Sequence, residues 1–414
     1  MSEDRPKVVG AAGDRKEDRL VGQEGLVFVL AVWAASRLLY LVCGPLFAVV
    51  VPVGWFHRLT PDVPFGTLNI WSHWDGVWYI QIAEKGYGAS APESTAFFPL
   101  YPLLVRSFAE LFGGPISLQA LSVWGPLLSA LLLPFALYFL YGIALDGWGE
   151  RAARGAVLAL AFFPTTFFLN AAYTESLFLA LSAGSVWAVR VRRDLLLACV
   201  LAGLASATRN VGVFLLVPLA YEWIRALDHY RWRGAYLILV PSGLATYALY
   251  LWARFGDPLL FYTAQEDWGR EATGPLATVG RAWTSAVEGA GGLLDPGLWT
   301  APTLGNLADH LAAAGNLTNL VFFVFAVVVL LAGARDLPPS LTIYGLLLIA
   351  PATLFGTPQS PLMGTPRYTL VAFPLFVALG LLATNRWLFR TWLLLSAVLS
   401  LALCALFVSW RFVA

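Results

Sequence analysis

Apolar residues in this chain come in long runs separated by short polar breaks, and the spacing of those breaks predicts membrane-crossing helices. A bilayer core takes about 20 consecutive apolar residues per helix, fewer where a segment is broken or shielded by its neighbours. On that rule about eleven membrane segments are expected, near residues 23–47, 117–143, 153–171, 174–190, 194–208, 210–225, 234–254, 318–334, 339–356, 367–384 and 390–410. The two that flank Thr208-Arg209-Asn210 are short enough for a re-entrant or broken helix. Two stretches without that pattern, 48–116 and 255–317, read as large loops. Within the first, FFPLYPLLVRSFAELF is interrupted by Arg106 and Glu110 and has prolines where a helix start tolerates them, so it is expected to lie along the interface. Residues 1–22 mix acids, bases and glycine without apolar periodicity, and read as a disordered cytoplasmic tail ahead of a single membrane domain over 23–414.

Basic residues fall in alternate short loops: Arg15, Lys16 and Arg19, then Arg151 and Arg154, Arg190 to Arg193, Arg225 to Arg233, Arg335, and Arg386 with Arg390. The positive-inside rule makes that face cytoplasmic. The exoplasmic face of an inner (plasma) membrane then receives the stretch from Trp71 to Pro102, the Tyr173-Thr174-Glu175 turn, Arg209, the loop over 255–317 and the loop before Arg367.

Composition agrees with a polytopic all-α membrane protein: 59% of residues are hydrophobic and 12% charged, against about 45–50% and 25% in soluble domains. A net charge of +1 without a basic cluster argues against a nucleic-acid partner. Cys43, Cys199 and Cys404 sit inside apolar runs with no CxxC spacing, so neither zinc nor disulfides are indicated. The chain has no phosphate-binding glycine loop, HExxH, GxSxG or DxD pattern. A metal-dependent nucleotide-sugar transferase is therefore disfavoured, and neither metal nor cofactor is expected.

Chemistry concentrates between Trp71 and Pro102. Asp75, in His73-Trp74-Asp75-Gly76, lies among aromatic rings at the membrane edge, where partial desolvation favours a general base; it reads equally well as a helix N-cap. Glu93 can bind a sugar hydroxyl or stay solvated. Glu175, between two apolar segments, is either a functional acid or one favoured by a helix dipole. Arg37, Arg209 and Arg367 are candidates for a lipid-linked phosphate, with pairing to acids inside the bundle as the alternative. A single phosphate can be neutralised by arginines without a divalent ion, which favours a polyprenyl-phosphate donor. Trp71, Trp74, Trp78, Tyr79 and Trp268 can stack on sugar rings, although interfacial aromatics are common in membrane proteins.

Several spaced motifs together carry a resemblance. His73-Trp74-Asp75, Ile82 to Tyr87 and Ala96-Phe97-Phe98-Pro99-Leu100-Tyr101-Pro102 come first, then Phe163 to Phe168 with Ala172 to Phe178 and Thr208-Arg209-Asn210. Gly256-Asp257-Pro258-Leu259, Ala264-Gln265, Trp268-Gly269-Arg270 and Pro366-Arg367-Tyr368 complete the set. In that order they resemble the PIG-V mannosyltransferase family, which adds the second mannose to glycosylphosphatidylinositol precursors. The resemblance implies a GT-C glycosyltransferase that inverts the anomeric centre, with Asp75 as base. It places His73, Trp74, Glu93, Tyr173, Glu175, Gln265 and Trp268 around the substrate, and Arg37, Arg209 and Arg367 near the donor phosphate. The donor would be a polyprenyl-phosphate hexose, mannose by the resemblance, and the acceptor a membrane lipid or glycan. Basic usage dominated by arginine, with three lysines, suggests a bacterial chain and so another acceptor. The need for an accessory subunit is left open. A flippase for lipid-linked sugars is the rival reading, but no internal repeat supports it; a non-catalytic subunit would have little use for an acid set among aromatics.

Overall fold

The computed structural model describes residues 21–54, 69–88, 92–294, 296 and 303–413. The tail expected over 1–22 lies almost wholly outside them. The protein is helical, and among the described residues five helices are long and apolar enough to cross a membrane: Gln23–Val50, Leu118–Trp148, Leu227–Phe255, Gly315–Gly333 and Arg386–Val408. Thr365–Val371 and Phe373–Thr384, bent by 71° at their junction, add a sixth if counted as one span. It is a multi-pass membrane protein.

In chain order, α1 is Gln23–Val50, α2 Asp75–Lys85, α3 Leu100–Leu111, α4 Leu118–Trp148, α5 Glu150–Ala161, α6 Glu175–Arg190 and α7 Leu195–Thr208. After them come α8 Leu216–Arg225, α9 Ser242–Phe255, α10 Leu260–Asp267, α11 Pro275–Leu293 and α12 Leu304–Ala313. The last five are α13 Gly315–Gly333, α14 Pro339–Ile349, α15 Thr365–Val371, α16 Phe373–Leu381 and α17 Arg386–Val408.

Each expected membrane segment overlies a helix, but the count of eleven continuous spans is not confirmed. The segment expected over 153–171 is a 12-residue helix followed by a 3-10 turn over Thr166–Asn170, and that over 174–190 has 16 residues, nearly all buried. A helix clad in protein does not need the full apolar length that lipid demands. Prolines account for another break: Pro374 in the first turn of α16 cannot donate to the preceding turn, and the chain bends there. The interfacial helix expected after Phe97-Phe98-Pro99 is α3, 12 residues long and packed on α2 and α4; at 1.5 Å per residue it is too short to cross.

The bundle centre is α6, packed against α4 and α7, with α5 wedged between α4 and α16. A two-residue antiparallel pairing of β1, Glu271–Ala272, with β2, Phe355–Gly356, ties the second large loop to the segment that leads into α15.

Candidate active site

The chain reaches α2 through a tightly held corner. The Ala172 amide donates to the carbonyl of Trp71 at 2.8 Å, the Ser72 hydroxyl to that of Ser122 at 2.8 Å and the Tyr173 hydroxyl to that of His73 at 3.1 Å. Trp74, the residue that caps α2, is held at φ 57°, a left-handed conformation costly for a bulky side chain. Asp75 therefore enters the first turn instead of the cap position, and Trp74 makes no side-chain cap bond. The carboxylate of Asp75 accepts from Nη1 of Arg367 instead.

Arg367 lies in α15, just after Gly364, whose φ of 86° suits a residue without a side chain. Its Nε donates to Oε1 of Glu175 at 2.7 Å, and its guanidinium stands 4.5 Å from the centre of the Tyr173 ring. Glu175 opens α6 with no exposed side chain, and its Oε1 also accepts from Nη1 of Arg209 at 3.0 Å. A carboxylate so deeply buried is tolerable only with such partners. The result is a four-membered chain of alternating charge, Asp75, Arg367, Glu175 and Arg209, drawn from four separate segments. Its Asp75 end stays 30% exposed.

That end opens into a cavity of about 1380 Å³. Asp75, Trp74, Arg209, Gln265, Trp268 and Arg367 all line it, so the structure brings six of the expected residues together. Glu175 and Tyr173 sit behind Arg367, and His73 sits behind Trp74, stacked on Trp410 with ring centres 3.9 Å apart. Trp268 stands edge-on to Trp78 and Phe97 and makes an aromatic wall. Burial pushes the Tyr79 phenol, also on the lining, up to about 12.

Two expected residues lie elsewhere. Arg37 is buried in α1 and donates to Oδ1 of Asn170 at 2.6 Å and to the Thr166 carbonyl at 3.4 Å. It is absent from the cavity lining, because the turn before α6 takes up its guanidinium. Glu93, in the 3-10 turn Pro92–Ala96, is also off the lining; its carbonyl accepts from the Trp268 indole at 3.4 Å.

Arg270, Tyr368, Trp410 and Arg411 line the cavity too, although sequence alone assigns them no role. Arg411 carried a readable signal: it is a basic residue just past the last helix, at the end away from Arg386 and Arg390, where the positive-inside trend leads one to expect few basic residues. Its Nε pairs with Oδ1 of Asp309 at 2.8 Å, and Phe412 beside it packs edge-on against Trp74.

The sequence model of the family described as mannosyltransferase (PIG-V) matches residues 63–230. The chain resembles the PIG-V mannosyltransferases. Two relatives agree: GPI mannosyltransferase 2 of Drosophila melanogaster is 34% identical over 117 residues, 26% of this chain and 24% of the relative. GPI alpha-1,6-mannosyltransferase 2 of Homo sapiens is 29% identical over 173 residues, 37% of this chain and 34% of the relative. The chain thus matches about a quarter to a third of the length of these relatives. Among solved structures, ArnT from Cupriavidus metallidurans bound to undecaprenyl phosphate aligns over 88% of this chain and 61% of its own, with 15% identity and a TM-score of 0.48. The Archaeoglobus fulgidus oligosaccharyltransferase aligns over 90% and 56%, with 15% identity and a TM-score of 0.42. The PIG-V-like stretch contains Asp75, Glu175 and Arg209, whereas Arg270, Arg367 and Arg411 reach the cavity from beyond it.

Proposed function

We propose that the protein is an inverting GT-C glycosyltransferase that moves a hexose, mannose by its resemblance, from a polyprenyl-phosphate donor to a lipid- or glycan-linked acceptor at the exoplasmic face of the plasma membrane. The observation that carries this reading is Asp75, part-exposed at the mouth of the charge chain in a large cavity walled by aromatic rings and arginines. Asp75 acts as general base: its carboxylate takes the proton of the acceptor hydroxyl as that oxygen bonds to the anomeric carbon. The bond from that carbon to the phosphate oxygen breaks, and its electron pair leaves with the polyprenyl phosphate. Arg367 fixes the orientation of the Asp75 carboxylate, and the fixed positive groups of the cavity offset charge on the departing phosphate, so that positioning and electrostatics supply most of the rate. The Trp78, Phe97 and Trp268 wall offers ring faces and edges to a sugar, and the apolar part of the lining around Phe214 and Leu354 suits a lipid chain.

The test places purified protein in liposomes with labelled polyprenyl-phosphate mannose and a lipid and glycan extract of the source cells. Label should move to an acceptor with wild type and stay on the donor with Asp75→Asn. Transfer undiminished in a folded Asp75→Asn variant would overturn the assignment of the base. Absence of transfer, with labelled lipid appearing on the opposite leaflet, would replace the transferase by a flippase.

A further inference from the structure

Four arginines line the cavity, and three of them are committed. Arg367 is held by Asp75 and Glu175, Arg209 by Glu175, and Arg411 by Asp309. Arg270 is the exception: among the described residues it makes no ion pair, and its Nη1 donates to the Tyr368 hydroxyl at 3.3 Å. Its position is nonetheless built. The backbone amide of Arg270 donates to the Gln265 carbonyl at 3.1 Å, and the next residue, Glu271, begins the strand paired with Gly356. The Tyr368 ring also lies 5.8 Å from the Arg209 guanidinium, so Arg270 stands one tyrosine away from the charge chain that ends at Asp75.

We propose that Arg270, part-buried on the cavity wall with Tyr368 as its hydroxyl partner, binds the phosphate of the lipid-linked donor. This rests on the transferase reading above and changes which residue performs the anchoring. Arg367 bridges two carboxylates, and Arg209 and Arg411 each have one carboxylate offsetting their charge, whereas Arg270, among the described residues, keeps its charge unpaired and the rest of its donor fork free of carboxylates, and can meet phosphate oxygens with two nitrogens. The Tyr368 hydroxyl, accepting from Arg270, has its own proton left to donate to the same phosphate. Departure of the phosphate toward Arg270 would leave Arg367 in place to orient Asp75.

The test uses the purified protein in nanodiscs and compares binding of a polyprenyl monophosphate with binding of the matching polyprenol. Wild type should prefer the phosphate. Arg270→Gln should weaken phosphate binding by roughly 10- to 100-fold, the size expected for a lost charge-assisted contact, and leave polyprenol binding unchanged. Arg270→Lys, which keeps the charge and loses the fork, should fall between the two and serves as the second variant if the glutamine form does not fold. A folded variant, Gln or Lys, that binds the phosphate as tightly as a discriminating wild type would overturn the role of Arg270 and leave the transferase reading standing. A wild type indifferent to the phosphate would overturn both.

Discussion

Asp75 and Glu175, on different helices, are held by one guanidinium: Arg367 gives Nη1 to the first and Nε to the second. The two acids differ in what they would cost to remove. Glu175 has no exposed side chain and balances both Arg209 and Arg367, so Glu175→Gln leaves buried positive charge uncompensated. It should destabilise the protein by about 3–5 kcal/mol, the usual consequence of breaking a buried pair. Asp75 is part-exposed, and Asp75→Asn should cost about 1 kcal/mol or less while lowering transfer by roughly 100- to 10,000-fold. Thermal unfolding in detergent, read beside transfer rates, separates the two. Equal destabilisation by both variants would make Asp75 a structural partner of Arg367.

Arg37 offers a contrast. The turn before α6 uses its fork, through Asn170 and Thr166, and it does not face the cavity. Arg37→Lys keeps a buried charge that is harder to desolvate, while a single amine cannot span both acceptors. The variant should unfold more easily, by about 1–3 kcal/mol for an orphaned buried acceptor, with the KM for donor unchanged. A raised donor KM at wild-type stability would return Arg37 to the phosphate.

Trp268 stands edge-on to Trp78 and Phe97 on the cavity wall, with ring centres 5.4 and 5.7 Å away. Leucine there keeps an apolar side chain, though a smaller one, and loses the ring. Aromatic contacts of this kind contribute about 0.5–1.5 kcal/mol beyond area burial, so Trp268→Leu should raise the KM for a sugar-bearing substrate by about 2- to 10-fold with little change in kcat. A fall in kcat alone would mean that Trp268 acts on the alignment of Asp75.

The helices were legible because apolar runs announce themselves, and Asp75 stood out as a candidate, which the cavity lining includes, because an acid among tryptophans is conspicuous. The charge chain was not legible. Arg367 lies 292 residues from Asp75 and 192 from Glu175, and no local pattern records a pairing of that range. Composition also cannot distinguish a helix bathed in lipid from one clad in protein, which is why α5 and α6 read as full spans. Arg37 misled for a related reason: an arginine within an apolar run signals an unmet charge, and here carbonyl, hydroxyl and amide oxygens answer it without an anion.

The leaving group proposed here is a monophosphate, and the groups that face it are guanidinium ions fixed in the cavity wall. A divalent ion acts as a Lewis acid on a phosphoryl oxygen, a charge compensation that fixed guanidinium groups can also supply. With a single phosphate, an arginine supplies compensating charge and directional donors together. Transfer should therefore persist after thorough EDTA treatment, at the rate seen before chelation, and added Mg²⁺ or Mn²⁺ should not raise it. The measurement is the initial rate with labelled donor in chelated liposomes. Loss of activity restored by one cation would place a metal between the phosphate and a cavity carboxylate.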